Sequence, residues 1–377
     1  MMLYTLLLSL LFKTSPVNLP EKDSIIFPAA VTVYVSKDGN DKTAVAGSNS
    51  KPFLTLTAAL AAIPAAGGCI LIGPGEFASP EHADLKSHLM IAGAGKPVPD
   101  WNREYDRKTG KLRFTPPQKL VGGTVLKGTL DCSLLENIIV KDLGVDAGAT
   151  WCKEYNNGAP AEALIFAQRY NLKGGLSGAD GIHELQVLSP PRQGIVVENV
   201  AALCRDARAP VHAMLFENLY CPQISNVSTY FGVHGVVLKT QGGLLTNLDA
   251  HGHFSNGLIL KSNDYAFGNG ISVSNVYITS IMPGDGGGIR LVADIDTLKH
   301  ITVSNFVVED ARFGITNNGD VDGAIIANGH LLNCSDFSIS VDSHLSHSIF
   351  SNIIERRSGR TTVISGEALH KRTRTNQ

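Results

Sequence analysis

The chain is poor in charge: 18% of its 377 residues are Asp, Glu, Lys or Arg, and they nearly cancel to a net −2 at pH 7. With an isoelectric point near 6.6 there is no global basic field to hold a nucleic acid, so that class of partner is excluded. Cysteine is scarce as well. The six copies, at 69, 132, 152, 204, 221 and 334, contain no Cys-x-x-Cys spacing, which argues against zinc and dithiol redox motifs. The apolar run Leu6-Leu7-Leu8-Ser9-Leu10-Leu11-Phe12 is too short to span a bilayer. Gly93-Ala94-Gly95-Lys96 lacks the spacing of a phosphate-binding loop, and Asp38-Gly39-Asn40-Asp41 lacks the distal Glu of a calcium loop and reads as a turn.

What the chain does have is glycine, 38 residues spread among short β-rich runs, and a repeat. His212-Ala213-Met214-Leu215-Phe216-Glu217, His234-Gly235-Val236-Val237-Leu238-Lys239 and Asn256-Gly257-Leu258-Ile259-Leu260-Lys261 align on a 22-residue period. A second signal interleaves with it: Glu198-Asn199-Val200, Ser225-Asn226-Val227, Thr246-Asn247-Leu248, Ser274-Asn275-Val276, Ser304-Asn305-Phe306, Ser335-Asp336-Phe337 and Ser351-Asn352-Ile353. Short strands joined by an Asn turn, recurring with variable loops, predict a parallel β-solenoid in which each coil completes its neighbour's core. Alternation points Val236, Leu238, Leu258, Leu260, Ile289 and Leu291 inward and Val237, Lys239, Ile259, Lys261 and Arg290 outward. Asn suits the turns because it tolerates left-handed backbone and its amide can pair with the Asn one coil away.

The expected organisation is a possible signal or N-terminal extension over 1–30, one β-helix domain over 31–355, and a basic tail over 356–377 that includes Arg356, Arg357, Arg360, Lys371, Arg372 and Arg374. Within the domain, 31–77 forms a cap with a helix from about Thr55 to Ala65, whose apolar positions are Leu56, Leu60 and Ile63. Residues 97–118 and 148–176 are insertions whose aromatics, Trp101, Tyr105, Trp151 and Tyr155, are of a kind that stacks on sugar faces. Cys69 reads as a buried hydrophobe, and Cys204 and Cys221 are near enough in sequence to be bridged across one coil of a secreted chain.

The segment from Val33-Tyr34-Val35-Ser36-Lys37-Asp38-Gly39 through Pro52-Phe53-Leu54-Thr55-Leu56 to Gly67-Gly68-Cys69-Ile70-Leu71-Ile72-Gly73-Pro74-Gly75-Glu76-Phe77 resembles the N-terminal region of right-handed parallel β-helix proteins of the pectin-lyase-like superfamily. That group includes polysaccharide lyases, polygalacturonase-like hydrolases and phage tailspikes. The resemblance implies an all-β, right-handed single-stranded parallel β-helix with a short N-terminal capping helix, and a carbohydrate groove along one sheet. It also implies a secreted, cell-surface or virion-associated protein, monomeric or homotrimeric, whose partner is a polysaccharide, with uronic-acid-containing polymers among the candidates. The polygalacturonase-like pattern fails at its catalytic positions: Val233-His234-Gly235 and Ser255-Asn256-Gly257 stand where its Asp-bearing runs would be, and Asp180 has no matched partner.

The densest reactive cluster falls within 230–264. His234, His251, His253, Lys239, Lys261 and Asp249 are the catalytic candidates, with Tyr230, Arg290, Asp264, Trp151 and Trp101 as substrate contacts. Alternation places Asp249, His251 and His253 on one outward face, and stacks Lys239 against Lys261, each depressing the other's proton affinity. A β-eliminating lyase or uronate epimerase needs a base, a carboxylate-neutralising cation and an acid, which His and Lys supply. Glycoside hydrolysis and non-catalytic glycan binding are the alternatives. No metal site is assigned, though Asp285, Asp294 and Asp296 leave Ca²⁺ as a possible cofactor.

Overall fold

The computed structural model describes residues 31–106, 111–115, 119–147, 163–167, 192–204, 212–262, 269–279, 287–293, 296–341, 344–356, 363–364 and 369–371. In 102–106, 111–115, 165–167, 363–364 and 369–371 only the backbone is described.

The inward residues line up coil upon coil because the strands pair parallel and in register. Ile224, Leu245, Val273, Val303, Ile326 and Phe350 make one such column, all but fully buried. These belong to a long sheet whose strands include Ile195–Leu203, Gln223–Tyr230, Gly243–His251, Ile271–Thr279, Thr302–Glu309, Ile325–Leu332 and Ile349–Arg356. A second sheet runs beside it through His212–Tyr220, His234–Gln241, Asn256–Lys261, Gly287–Val292, Phe313–Asn318 and Phe337–Val341, and contributes the column Val236, Leu258, Ile289, Ile315 and Ile339. This is the parallel β-helix expected from the repeat.

Each long strand is two short ones joined at a corner. In Gly243–His251 the inward residues are Leu245, Leu248 and Ala250, so alternation resets at Asn247, which has φ +56°. Asp142, Asn199, Asn226, Asn275, Asn305, Asn328 and Asn352 hold the same left-handed conformation, with φ between 51° and 56°. Their side chains form the ladder: Asn199 donates to Asp142 (2.7 Å), Asn247 to Asn226 (2.8 Å), Asn275 to Asn247 (3.0 Å) and Asn352 to Asn328 (3.1 Å). One rung differs from the sequence reading. Asn328 occupies the place expected of Asp336, which instead opens the strand Phe337–Val341 and pairs with Arg312 at 2.6 Å.

Large and small residues compensate along a column. Phe306 fills the axis at one coil, and its neighbour in register is Gly329, where a Cβ would come within 1.9 Å of the Phe306 ring.

At the N-terminal end the helix Leu56–Ala62 buries Leu56 and Leu60, with Ile63 after it, and is capped by Thr55. Asp41 accepts from the Leu54 and Thr55 amides and from the Thr55 hydroxyl, so the acidic 38–41 segment serves as a brace for that cap. Toward the other end, Val363–Ile364 and Leu369–Lys371 pair in register on the two sheets, so strand pairing continues into the segment read as a solvated tail.

Two cysteine expectations change. Cys69 lies on the outer face of Gly68–Ile72 and is half-buried, because Ile70 and Ile72 take the inward positions. Cys204 and Cys221 form no disulfide with each other; they flank opposite ends of adjacent strands, and a strand that long holds them well beyond disulfide reach. Cys152 lies outside the described residues. Val237 and Ile259 face outward as expected, yet both are buried, in a small apolar cluster with Leu215 and Val292.

Candidate active site on the outer face after the asparagine corner

Past the asparagine corner, outward positions of successive coils come into register: Tyr230 with His251, and Asp249 with Tyr277. Within one strand Asp249 and His251 are two apart and so share a face, and His251 Nε2 lies 2.7 Å from Asp249 Oδ1. A hydrogen on Nε2 donated to that carboxylate leaves the Nδ1 lone pair available.

Aromatic rings hold the imidazole. Tyr230 is stacked on it (5.5 Å between centroids, 10° between planes), Tyr277 is tilted against its other side (5.7 Å), and Trp101 meets it edge-on (6.3 Å). Trp101 comes from the 97–118 insertion, which is an antiparallel hairpin: Val98–Pro99 pairs with Leu120–Val121 and Asn102–Asp106 with Lys111–Thr115. The tryptophan docks the hairpin on the barrel by packing against Tyr230 and Phe231.

Phenol and ammonium groups complete the surface. Tyr277 donates its hydroxyl to Glu309 (3.1 Å), and burial and that carboxylate together push its pKa up to about 12. Burial pushes Tyr230 to about 12 also, its hydroxyl being near Ser228. Lys96 reaches across the coils to the Asn226 carbonyl (3.0 Å) and the Ser228 hydroxyl (3.1 Å); burial lowers its pKa, while the neighbouring Asp249 opposes that shift. Both phenols therefore keep their protons at neutral pH.

The remaining candidates lie elsewhere, so the cluster that is dense in sequence is divided between two sheets. His253 is buried inside the barrel, 2% exposed, sharing a hydrogen bond with Thr229 (3.0 Å). The strand ends at His251 and Gly252, at φ +69°, turns the chain; a Cβ there would meet the Phe231 ring at 2.8 Å, so outward alternation stops one residue too early for His253. His234 opens a strand of the second sheet, stacked on His212 (5.1 Å, 24°), with Asn256 next in register. Burial first, then His212, Arg290 and Lys261, press its pKa down to about 3; His253 is held at about 3, chiefly by burial.

Lys239 is in register with Glu217 and bridged to it at 3.1 Å, with its side chain 12% exposed. The lysine pair read as mutually repelling is thus a Glu217-Lys239-Lys261 column, in which the carboxylate one coil earlier satisfies Lys239. Arg290 and Lys261 are on the second sheet, away from Asp249 and His251. Asp264, Trp151, Asp285 and Asp294 lie outside the described residues, and Asp296 accepts from the Thr297 amide as a turn residue. Among the described residues no group of three His, Cys, Asp or Glu is placed to hold a metal, and no helix is long and apolar enough to cross a membrane.

Sequence reasoning missed Lys96, Tyr277 and Glu309. The Tyr277 signal was available, since Ser274-Asn275-Val276 fixes it one coil after Asp249. Lys96 carried no such signal, because it enters from a turn about 130 residues away from its partners.

No family model and no curated protein matches the chain. Among solved structures it is similar to the catalytic domain of a GH87 alpha-1,3-glucanase in complex with nigerose, at 13% identity over 85% of this chain and 66% of that one, with a TM-score of 0.35. It is also similar to the A-module of the Azotobacter vinelandii mannuronan C-5 epimerase AlgE4, at 14% identity over 81% and 92% of the two chains, with a TM-score of 0.34. A third, a glycoside hydrolase, is 9% identical over 87% and 96%, with a TM-score of 0.30. The chain spans just under two thirds of the glucanase domain.

Proposed function

We propose that this protein acts on an acidic polysaccharide by removing the proton next to a uronate carboxylate, as a β-eliminating lyase or a uronate epimerase. The observation that carries the reading is the Asp249–His251 pair set among Tyr230, Tyr277 and Trp101 on an outward face. Asp249 holds the imidazole in one tautomer, and His251 Nδ1 takes the C5 proton. The electron pair moves into the carboxylate, giving an enolate-like intermediate whose charge the Lys96 ammonium stabilises. Tyr277, exposed at its edge and still protonated, is the acid. In elimination it protonates the departing glycosidic oxygen; in epimerisation it returns a proton to C5 from the opposite face. The solvent-facing edge of Trp101 is suited to stacking on a neighbouring sugar.

Hydrolysis is the second reading, supported by one observation: Asp249 and Glu309 both act on Tyr277 from its two sides, giving two carboxylates on one face. The test is a panel of acidic polysaccharides followed in parallel by ultraviolet absorbance of unsaturated uronide, by deuterium incorporation at C5 in heavy water, and by new reducing ends. Absorbance identifies the lyase, deuterium without cleavage the epimerase, and reducing ends without absorbance the hydrolase. His251→Ala is expected to lower the rate about 10²- to 10⁴-fold with folding unchanged; full activity in that variant would remove His251 from the reaction.

A further inference from the structure

The outer face of the second sheet carries a cleft of about 310 Å³, lined by Asn256, Arg290, Phe313, Thr316, Asn317 and Ser340 among others. Two columns of the β-helix explain its shape. Asn256, Gly287, Phe313 and Phe337 form the first. Gly287 is a missing tooth in it: a Cβ there would come within 2.5 Å of the Asn256 amide nitrogen, so the coil can close only around an absent side chain. Ile259, Arg290, Thr316 and Ser340 form the second, and from Arg290 onward its side chains shorten, leaving the guanidinium above low ground.

One wall of the cleft is stiff. Phe313 lies parallel to Phe337 (6.1 Å, 8°), and Arg312 sits over its ring at 5.0 Å while paired with Asp336. Arg312 therefore has its anion already. Arg290 does not: it is half-buried, and among the described residues no carboxylate pairs with it. Partial burial of an unmatched guanidinium is costly, and the cost is relieved when an anion enters and accepts its paired N–H donors. The neighbouring His234, kept neutral chiefly by burial, adds no second positive charge beside it. The other lining groups are amides and hydroxyls, which suit sugar hydroxyls, with the Phe313 ring beside them for a sugar face.

We propose that this cleft is a subsite, separate from the reacting centre, that binds one negatively charged sugar residue of the polymer, with Arg290 gripping its carboxylate. Ser255, on the rim, follows His251 across the four-residue corner 252–255, so anchor and reaction occupy neighbouring faces of the same coils. The inference rests on the reading above for the identity of the polymer, and on the cleft alone for its charge preference.

The test is calorimetric titration of the intact protein with galacturonate and mannuronate oligomers and with their carboxyl-reduced, neutral counterparts. The wild-type protein is expected to prefer the acidic form about ten- to a hundredfold. Arg290→Gln should erase that preference, and Ser340→Trp, which fills the cleft without touching the guanidinium, should weaken acidic oligomers to a similar degree. Circular dichroism and melting confirm that both variants fold. An acidic preference that survives in Arg290→Gln overturns the proposal, as does a wild-type protein that binds neither form. Turnover separates the two ideas: a wild-type protein that reacts but whose Arg290→Gln variant binds normally keeps its chemistry and loses the subsite. Charge-dependent binding through Arg290 with no product by any of the three assays keeps the subsite and removes the chemistry.

Discussion

The asparagine corner and the corner between the two sheets are built on different plans. The first is one residue deep in every coil from Asn199 to Asn352 and always left-handed, with side-chain amides joining Asn226 through Asn247 and Asn275 to Asn305, and Asn328 to Asn352. The second is three residues deep after Tyr230, four after His251 and three after Glu309, and its chemistry changes each time. What repeats exactly holds the solenoid together; what varies from coil to coil carries His251, His253 and the rim of the Arg290 cleft. Symmetry supplies the scaffold, and its local breakage supplies the sites.

The comparison can be broken from the scaffold side first. Phe306→Ala should destabilise by about 3–5 kcal/mol through the cavity it leaves, and Gly329→Ala by about 1–3 kcal/mol through overpacking, both read by denaturant titration. The double variant should recover part of the loss, since the added methyl enters the space the ring vacated. Strict additivity would mean that the two do not share one layer.

The variable corner should announce itself through acid. His234 and His253 are held near pKa 3 in the folded protein against about 6.5 unfolded. Their neutral forms favour folding, so that stability is fully present above pH ~6.5 and drains away as pH falls toward ~3, where both states are protonated. His253→Gln should flatten the slope of melting temperature against pH in this window; an unchanged slope would place His253 outside the barrel. Smaller still, Asn275→Leu should cost about 1–3 kcal/mol through lost rungs and unsatisfied turn groups. Lys239→Met should cost about 1 kcal/mol in the same denaturant titration through loss of its partly screened pair with Glu217.

Much of this scaffold was legible in the sequence because the repeated feature is short-range and periodic. The Asn triplets and the 22-residue spacing place His212 over His234 and Tyr230 over His251, and Thr55 begins the capping helix as its side chain suggests. The site was legible only in part. Asp249, His251, Tyr230 and Trp101 converge, but His253 was lost because a left-handed Gly252 interrupts the alternation that placed it outward. Lys239 was misread because the column was followed toward Lys261 and not back toward Glu217. Lys96 was beyond reach, its position being set by how far one side chain extends across stacked coils.

The in-register stacking also has an evolutionary reading. Because every coil adds about 4.8 Å of axis and contributes its outward residues one row at a time, gaining or losing a whole coil between Tyr277 and Gly287 would move Arg290 along the axis relative to His251 in fixed steps without disturbing the interior columns. The distance between anchor and chemistry is then quantised, and a polymer with a different repeat length can be matched by counting coils, with no need to redesign a pocket.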